Sequence, residues 1–337
     1  MPEVLLLVAV ISCFGTLRYR EFARRRNIVA QANFRSLHEK IIPRGGGIIF
    51  AGIFSLAIVA FGVAGMVSFR VVLAIGLGGG GAALAGFIDD IYDVRPTRKL
   101  LIQIGLSVWA FAVLYPSEYT LVLRNQSGVL AVFFGGFLLF IPVWLINLYN
   151  FIDGIDGLAV SGGIFIAGAA MIVLKLTGGD SDLTLALSLL IASSLGFLFF
   201  NLPPASLFMG DAGSIFFGYC FATFAMMSTI EGRMSAWTWL AIMGYFIADT
   251  TTTTAVRFLV VPRWYGVHRS HAYQNLARIH MSHGKVTYGV MVYNVVWALP
   301  LAIWSALRPE WAAFAAVLSI SPAVLWTLRF GPLLSNA

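Results

Sequence analysis

Apolar residues dominate long stretches of the chain, and polar residues gather in the short intervals between them. A helix needs about 20 mostly apolar residues to cross the hydrocarbon of a bilayer. Read with that window, the pattern predicts eleven spanning helices, beginning near Val4, Gly46, Val71, Leu100, Gly128, Leu158, Leu183, Ala212, Ala236, Val286 and Trp311. The expected fold is all-α, a single polytopic membrane domain over residues 1–337. Eleven is odd, so the termini are expected on opposite sides. The first stretch, from about Val4 to Leu17, lacks a basic flank before it and a small-residue cleavage site after it, and runs straight into arginines. It reads as a retained span and not as a cleaved leader. Tyr115, Trp144, Trp237 and Trp311 fall near predicted ends, where aromatic belts form.

Composition agrees with this reading. The chain is 59% hydrophobic and only 11% charged, against about 25% charged in a soluble domain. Its net charge of +7 fits basic loops facing anionic headgroups better than nucleic acid. Cys13 and Cys220 both lie in apolar runs, with neither metal spacing nor a disulfide framework. Seventeen of the 22 Lys and Arg fall on one side of the predicted topology: Arg18 to Arg44, Arg95 to Lys99, Arg257 to Lys285, and Arg329. By the positive-inside rule that side is the cytoplasm, with the N-terminus outside.

The same parity sorts the acids. Asp89, Asp90, Asp93, Asp153, Asp156, Asp211 and Asp249 come from four separate stretches and are expected to meet the cytoplasmic interface together. Adjacent carboxylates near hydrocarbon, such as Asp89-Asp90 at the end of an apolar helix, are costly without a cation. Lys99, ten residues on, either holds a phosphate or snorkels. In Asn150-Phe151-Ile152-Asp153-Gly154-Ile155-Asp156-Gly157, the polar residues stand three apart and would share a face on a continuing helix. Asn201-Leu202-Pro203-Pro204 closes one span, and Phe208-Met209-Gly210-Asp211-Ala212-Gly213-Ser214 opens the next. Asp211 therefore stands near a helix N-terminus, which favours anions such as phosphate. A carboxylate there can also ligate Mg²⁺ together with phosphate oxygens. His268-Arg269-Ser270-His271 lacks a zinc pattern and suits phosphate binding or proton traffic. His280 and His283 read as ordinary interfacial residues, and Gly78 to Gly81 as a mid-span surface for close helix packing.

These motifs, together with His38-Glu39-Lys40 and Pro43-Arg44-Gly45-Gly46-Gly47, resemble the polyprenyl-phosphate N-acetylhexosamine-1-phosphate transferases over nearly the whole chain. The resemblance implies transfer of sugar-1-phosphate from a UDP-linked N-acetylhexosamine to undecaprenyl phosphate, with release of UMP and a requirement for Mg²⁺, Mn²⁺ being an alternative. It implies that Asp211 is the metal aspartate. Asp89 and Asp90 either activate the lipid phosphate or complete the metal shell. Asn150, Asp153, Asp156 and Asn201 are implied to line the nucleotide pocket, and Phe208 to stack on uracil. Lys40, Lys99 and His271 are implied to neutralise phosphate, with His268 and Arg269 beside them on the substrate. The peptidoglycan branch carries three consecutive histidines where this chain has His268-Arg269-Ser270-His271, and its interval from Lys40 to Pro43 is longer. The loop resembles the branch that initiates O-antigen or related surface polysaccharides in the bacterial inner membrane.

Two other classes fit less well. A cation-coupled transporter places its acids near the midplane of repeated halves, and no repeat is visible. A CDP-alcohol phosphotransferase needs an Arg soon after its Asp-Gly-x-x-Ala, where this chain has Val160.

Overall fold

The computed structural model describes residues 1–30, 42–115, 128–178, 181–260 and 270–332. The architecture is a helical bundle: α1 (Pro2–Arg25), α2 (Gly47–Val63), α3 (Phe69–Tyr92), α4 (Pro96–Leu114), α5 (Gly128–Ile152), α6 (Leu158–Leu176), α7 (Ser181–Asn201), α8 (Asp211–Ile230), α9 (Ala236–Ile242), α10 (Gly244–Val260), α11 (Ala272–Ile279), α12 (His283–Leu307) and α13 (Pro309–Phe330). The only strand pairing among the described residues is a two-residue antiparallel ladder, Val29–Ala30 with Ile42–Pro43.

Each of the eleven predicted stretches coincides with helix. Among the described residues, nine helices are long and apolar enough to cross a membrane. Of the other two stretches, α2 is 17 residues long, and the one from Ala236 is broken between α9 and α10 at Met243. The protein is a multi-pass membrane protein.

The centre of the bundle is α8, whose spanning window is 83% buried. Phe216, Phe217, Tyr219, Phe221 and Phe224 lie on several of its faces, so helices pack all round it. It packs on α2, α3 and α5. Of the Gly78–Gly81 run of α3, Gly78 and Gly79 lie against it, and a Cβ at Gly78 would fall 2.0 Å from the Tyr219 hydroxyl; Gly80 faces Ser55 of α2 and Gly81 faces Leu106 of α4. Asp211, the first residue of α8, is therefore carried by the most firmly held helix in the bundle. A second group, α9 to α13, packs around α13.

Candidate active site

At the start of α8 the chain turns through Gly210 (φ +74°). The Asp90 carboxylate, from the last turn of α3, receives the exposed N–H groups there. Its Oδ1 accepts from Asp211 N and its Oδ2 from Ala212 N, each at 3.1 Å. A carboxylate is disfavoured at the C-terminus of its own helix but favoured at the N-terminus of another. The crossing of α3 and α8 turns Asp90 from the first situation to the second. That crossing is close because of Gly86, where a Cβ would stand 2.1 Å from the Asp211 carbonyl oxygen. The Arg44 guanidinium donates to the Asp90 carbonyl, and the Tyr19 hydroxyl donates to the Arg44 carbonyl at 2.9 Å.

Asp89 accepts from Val94 N at 2.8 Å through Oδ1, and its Oδ2 meets the Lys99 ammonium. The same ammonium lies 3.6 Å from Asp211 Oδ2. Asn150, in the last turn of α5, donates to Asp211 Oδ1 at 2.9 Å and to Ser214 Oγ at 3.0 Å. Asp153 stands just beyond α5, partly exposed. Burial, and then the negative charges of Asp211 and Asp90, hold its carboxyl well above the usual range. Asp89, Asp90, Asp153 and Asp211 thus form one acidic depression, and Lys99 is the only amine within it among the described residues. Asp211 and Lys99 are each 32% exposed, so this pair is reachable, whereas the Asp89 side chain is 3% exposed.

The depression fits a hard divalent cation. Its donors are carboxylate oxygens, and an ammonium already bridges Asp89 and Asp211, where positive charge is most needed. No three His, Cys, Asp or Glu side chains close into a complete cage among the described residues. Mg²⁺ needs no such cage, because it keeps waters and takes one or two carboxylates plus phosphate oxygens. Asp89 and Asp211 are the two carboxylates that share the ammonium, so a cation at that point would meet both. Asp90 has both oxygens committed to main chain.

Several expectations change. Asp153 and Asp156 do not share a helix face, because α5 ends at Ile152 and residues 153–157 turn, with Gly157 at φ +75°. Asp156 points into the bundle. Its Oδ2 accepts from Ala205 N at 3.0 Å, its Oδ1 lies 3.2 Å from His283 Nδ1, and its carbonyl accepts from Thr287. Asn201 is likewise occupied: Oδ1 accepts from Gly157 N and Nδ2 donates to the Leu207 carbonyl, each at 3.1 Å. Both residues fold the wall beside the depression. Phe208 is half-buried there, its main chain pairing with Pro43 and Gly46.

Nor do all seven acids converge. Asp249 is fully buried, and its Oδ1 accepts from Ala272 N at 2.9 Å, the start of α11. That helix presents His271 against Phe151, ring centroids 5.8 Å apart, while the Tyr273 hydroxyl donates to the Phe151 carbonyl. His271 is 2% exposed. Burial lowers its pKa to about 4, outweighing a hydrogen bond with the Asp249 main chain that raises it. Burial thus favours the neutral form of the imidazole. Lys40, His268 and Arg269 lie outside the described residues.

Ser214 and Arg44 take parts that the sequence did not assign individually, and two residues take other parts than expected: His283 pairs with Asp156 where an ordinary interfacial residue was expected, and Asp249 anchors α11 where a site carboxylate was expected. Ser214 stands three residues after Asp211 on one helical face, a spacing that could have flagged it. Arg44, His283 and the role of Asp249 carry no local signal, since each partner is distant in the chain.

Residues 71–229 match the model of glycosyl transferase family 4. The match spans Asp89, Asp90, Lys99, Asn150, Asp153 and Asp211. The chain is 32% identical to the "probable undecaprenyl-phosphate N-acetylglucosaminyl 1-phosphate transferase" of Bacillus subtilis, over 78% of this chain and 74% of that protein. It is 31% identical to the "undecaprenyl-phosphate alpha-N-acetylglucosaminyl 1-phosphate transferase" of Escherichia coli K12, over 64% of this chain and 58% of that protein. It is also 29% identical to a "phospho-N-acetylmuramoyl-pentapeptide-transferase" of Streptococcus pneumoniae, over 72% and 76%. With its acidic depression inside the matched region and a relative of this similarity aligned over three quarters of its length, the chain belongs to glycosyl transferase family 4.

Proposed function

We propose that the protein transfers an N-acetylated hexosamine-1-phosphate from a UDP-sugar to undecaprenyl phosphate, giving the lipid diphosphate sugar and UMP. The reaction is assigned to the cytoplasmic face of a bacterial inner membrane, as the first step of O-antigen or related surface polysaccharide assembly. The observation that carries this reading is the depression where Asp89, Asp90, Asp153 and Asp211 meet Lys99 at the start of α8. The names of the Bacillus and Escherichia relatives support the acceptor and the transferred group.

An oxygen of the lipid phosphate attacks the β-phosphorus of the UDP-sugar, and the bond from that phosphorus to the bridging oxygen breaks, so UMP leaves with the electron pair. The lipid phosphate is already nucleophilic, so the residues chiefly position two anions and screen their charge. Mg²⁺ or Mn²⁺ held by Asp211 and Asp89 would supply electrostatic stabilisation of the pyrophosphate oxygens. Lys99 offers the matching positive charge to an incoming phosphate. Asn150 fixes the rotamer of Asp211, and Asp90 fixes its main chain. Asp89 would take a residual proton from the lipid phosphate or help to hold the metal. Phe208, Asp156 and Asn201 shape the wall assigned to the nucleotide.

The test is UMP release by purified protein with undecaprenyl phosphate and a panel of UDP-GlcNAc, a UDP-linked 6-deoxy-N-acetylhexosamine and UDP-MurNAc-pentapeptide. The expected result is turnover of the first two, unequally, because pockets discriminate weakly over one hydroxyl when fit is apolar. Turnover of the pentapeptide donor alone would move the protein to the reaction named for its Streptococcus relative.

A further inference from the structure

Beyond the reaction centre, the second helical group contains a cavity of about 510 Å³ lined by α10, α11, α12 and α13. Its walls are apolar, with Val286, Gly289 and Val290 on one side and Pro322, Ala323 and Trp326 on the other. Gly289 is exposed, and a Cβ there would meet no atom within 4 Å, so the groove is open at that point. Both flanking helices are among those able to span a membrane, so the opening faces lipid.

One end of the groove is basic. His280 and Lys285 line it and are exposed, and neither holds an ion pair among the described residues. Asn275 donates to the Phe330 and Gly331 carbonyls, which ties α11 to the last turn of α13 and brings Arg329 to the same end. Between Ser270 and Pro332 the only acid is Glu310, at the far end of α13 from Trp326. This end of the bundle is also the one where His283 meets Asp156.

We infer that the groove is a binding site for an anionic phospholipid of the bilayer, such as phosphatidylglycerol. One acyl chain lies along Gly289 and Trp326, and the phosphate is held by His280 and Lys285. Basic pockets between spanning helices recognise anionic headgroups in this way, and Trp beside Lys and Arg is the usual composition of the interface. The acceptor of the reaction is a poorer occupant. No lining residue belongs to the acidic depression, and α12 turns a neighbouring face, His283 and Thr287, toward Asp156.

The test is titration of the full-length protein in neutral detergent with phosphatidylglycerol or phosphatidylcholine carrying identical brominated chains, read by tryptophan quenching. Quenching should saturate, with phosphatidylglycerol preferred by about fivefold for each basic residue engaged. Trp326→Phe should remove the saturating component, Lys285→Gln and His280→Gln should reduce the preference between lipids, and Gly289→Leu should weaken both lipids. Equal quenching by both lipids, or none that saturates, overturns the proposal. So does competition by undecaprenyl phosphate accompanied by a raised acceptor KM in Gly289→Leu, which would make the groove the acceptor's tail channel. Conversion of a lipid-free dimer to monomer by Gly289→Leu would instead assign the groove to a second copy of the chain.

Discussion

Asp90→Asn separates a carboxylate that reacts from one that positions. In the wild type both Asp90 oxygens accept main-chain N–H groups at the start of α8, and a hydrogen bond to a charged group contributes about 1.5–3 kcal/mol. Asparagine keeps one acceptor oxygen and turns an NH₂ toward the other N–H, so one bond is lost and the remaining one becomes neutral. The expected destabilisation is about 2–4 kcal/mol, at or above the upper end of cap substitutions. If Asp90 acts only through Asp211, a small displacement of that carboxylate should lower kcat by about 10²-fold. Asp211→Asn, which removes electrostatic stabilisation itself, should lower it by about 10³-fold. The double variant should then be no slower than Asp211→Asn alone, because both losses act at one group. Initial rates of UMP release give kcat and KM, and thermal unfolding of the same preparations gives stability. An Asp90→Asn protein that unfolds like wild type yet is as slow as Asp211→Asn, with the two effects multiplying in the double variant, would refute the reasoning.

Chelation should abolish UMP release, with recovery on adding Mg²⁺ or Mn²⁺; full activity in chelator would remove the metal from the proposal. Asn150→Ala should lower kcat by about tenfold with little change in the KM for acceptor, since Asn150 touches Asp211 and Ser214 and a positioned hydrogen bond is worth about 1 kcal/mol; an effect confined to KM would place Asn150 on a substrate instead. The His271 imidazole has a folded-state pKa of about 4, below its ordinary 6.5, so the unfolded chain takes up the proton first as pH falls. Stability from this group is complete above pH 6.5 and is lost down to about pH 4, by roughly 3 kcal/mol in total. His271→Asn should remove that acid sensitivity, which unfolding of both proteins across this pH range would check. Reporter fusions after Lys99, Asp156 and Lys285 should report cytoplasm and one after Glu231 the periplasm; a periplasmic signal at Asp156 would defeat the one-sided site.

Hydropathy alone located the helical stretches, because crossing hydrocarbon is a requirement on about 20 consecutive residues and is written locally. The basic loops set an expectation for the side, which the reporter fusions test, and the rarity of acids in so apolar a chain marked Asp89, Asp90, Asp153 and Asp211 as functional candidates. How those acids divide their work was decided only by packing. Asp89 and Asp90 are neighbours in sequence, yet one faces Lys99 and the other caps a helix 121 residues further on. Asp153 and Asp156 look equivalent at their spacing, but the turn through Gly157 sends Asp156 to His283 and Ala205. His271 reads in sequence as a phosphate-binding or proton-carrying group, and only packing shows that α11, anchored by Asp249, buries it against Phe151. The physical reason is common to all three. A side chain's charge and role depend on which helix end stands opposite it, and that is set by contacts between segments far apart in the chain.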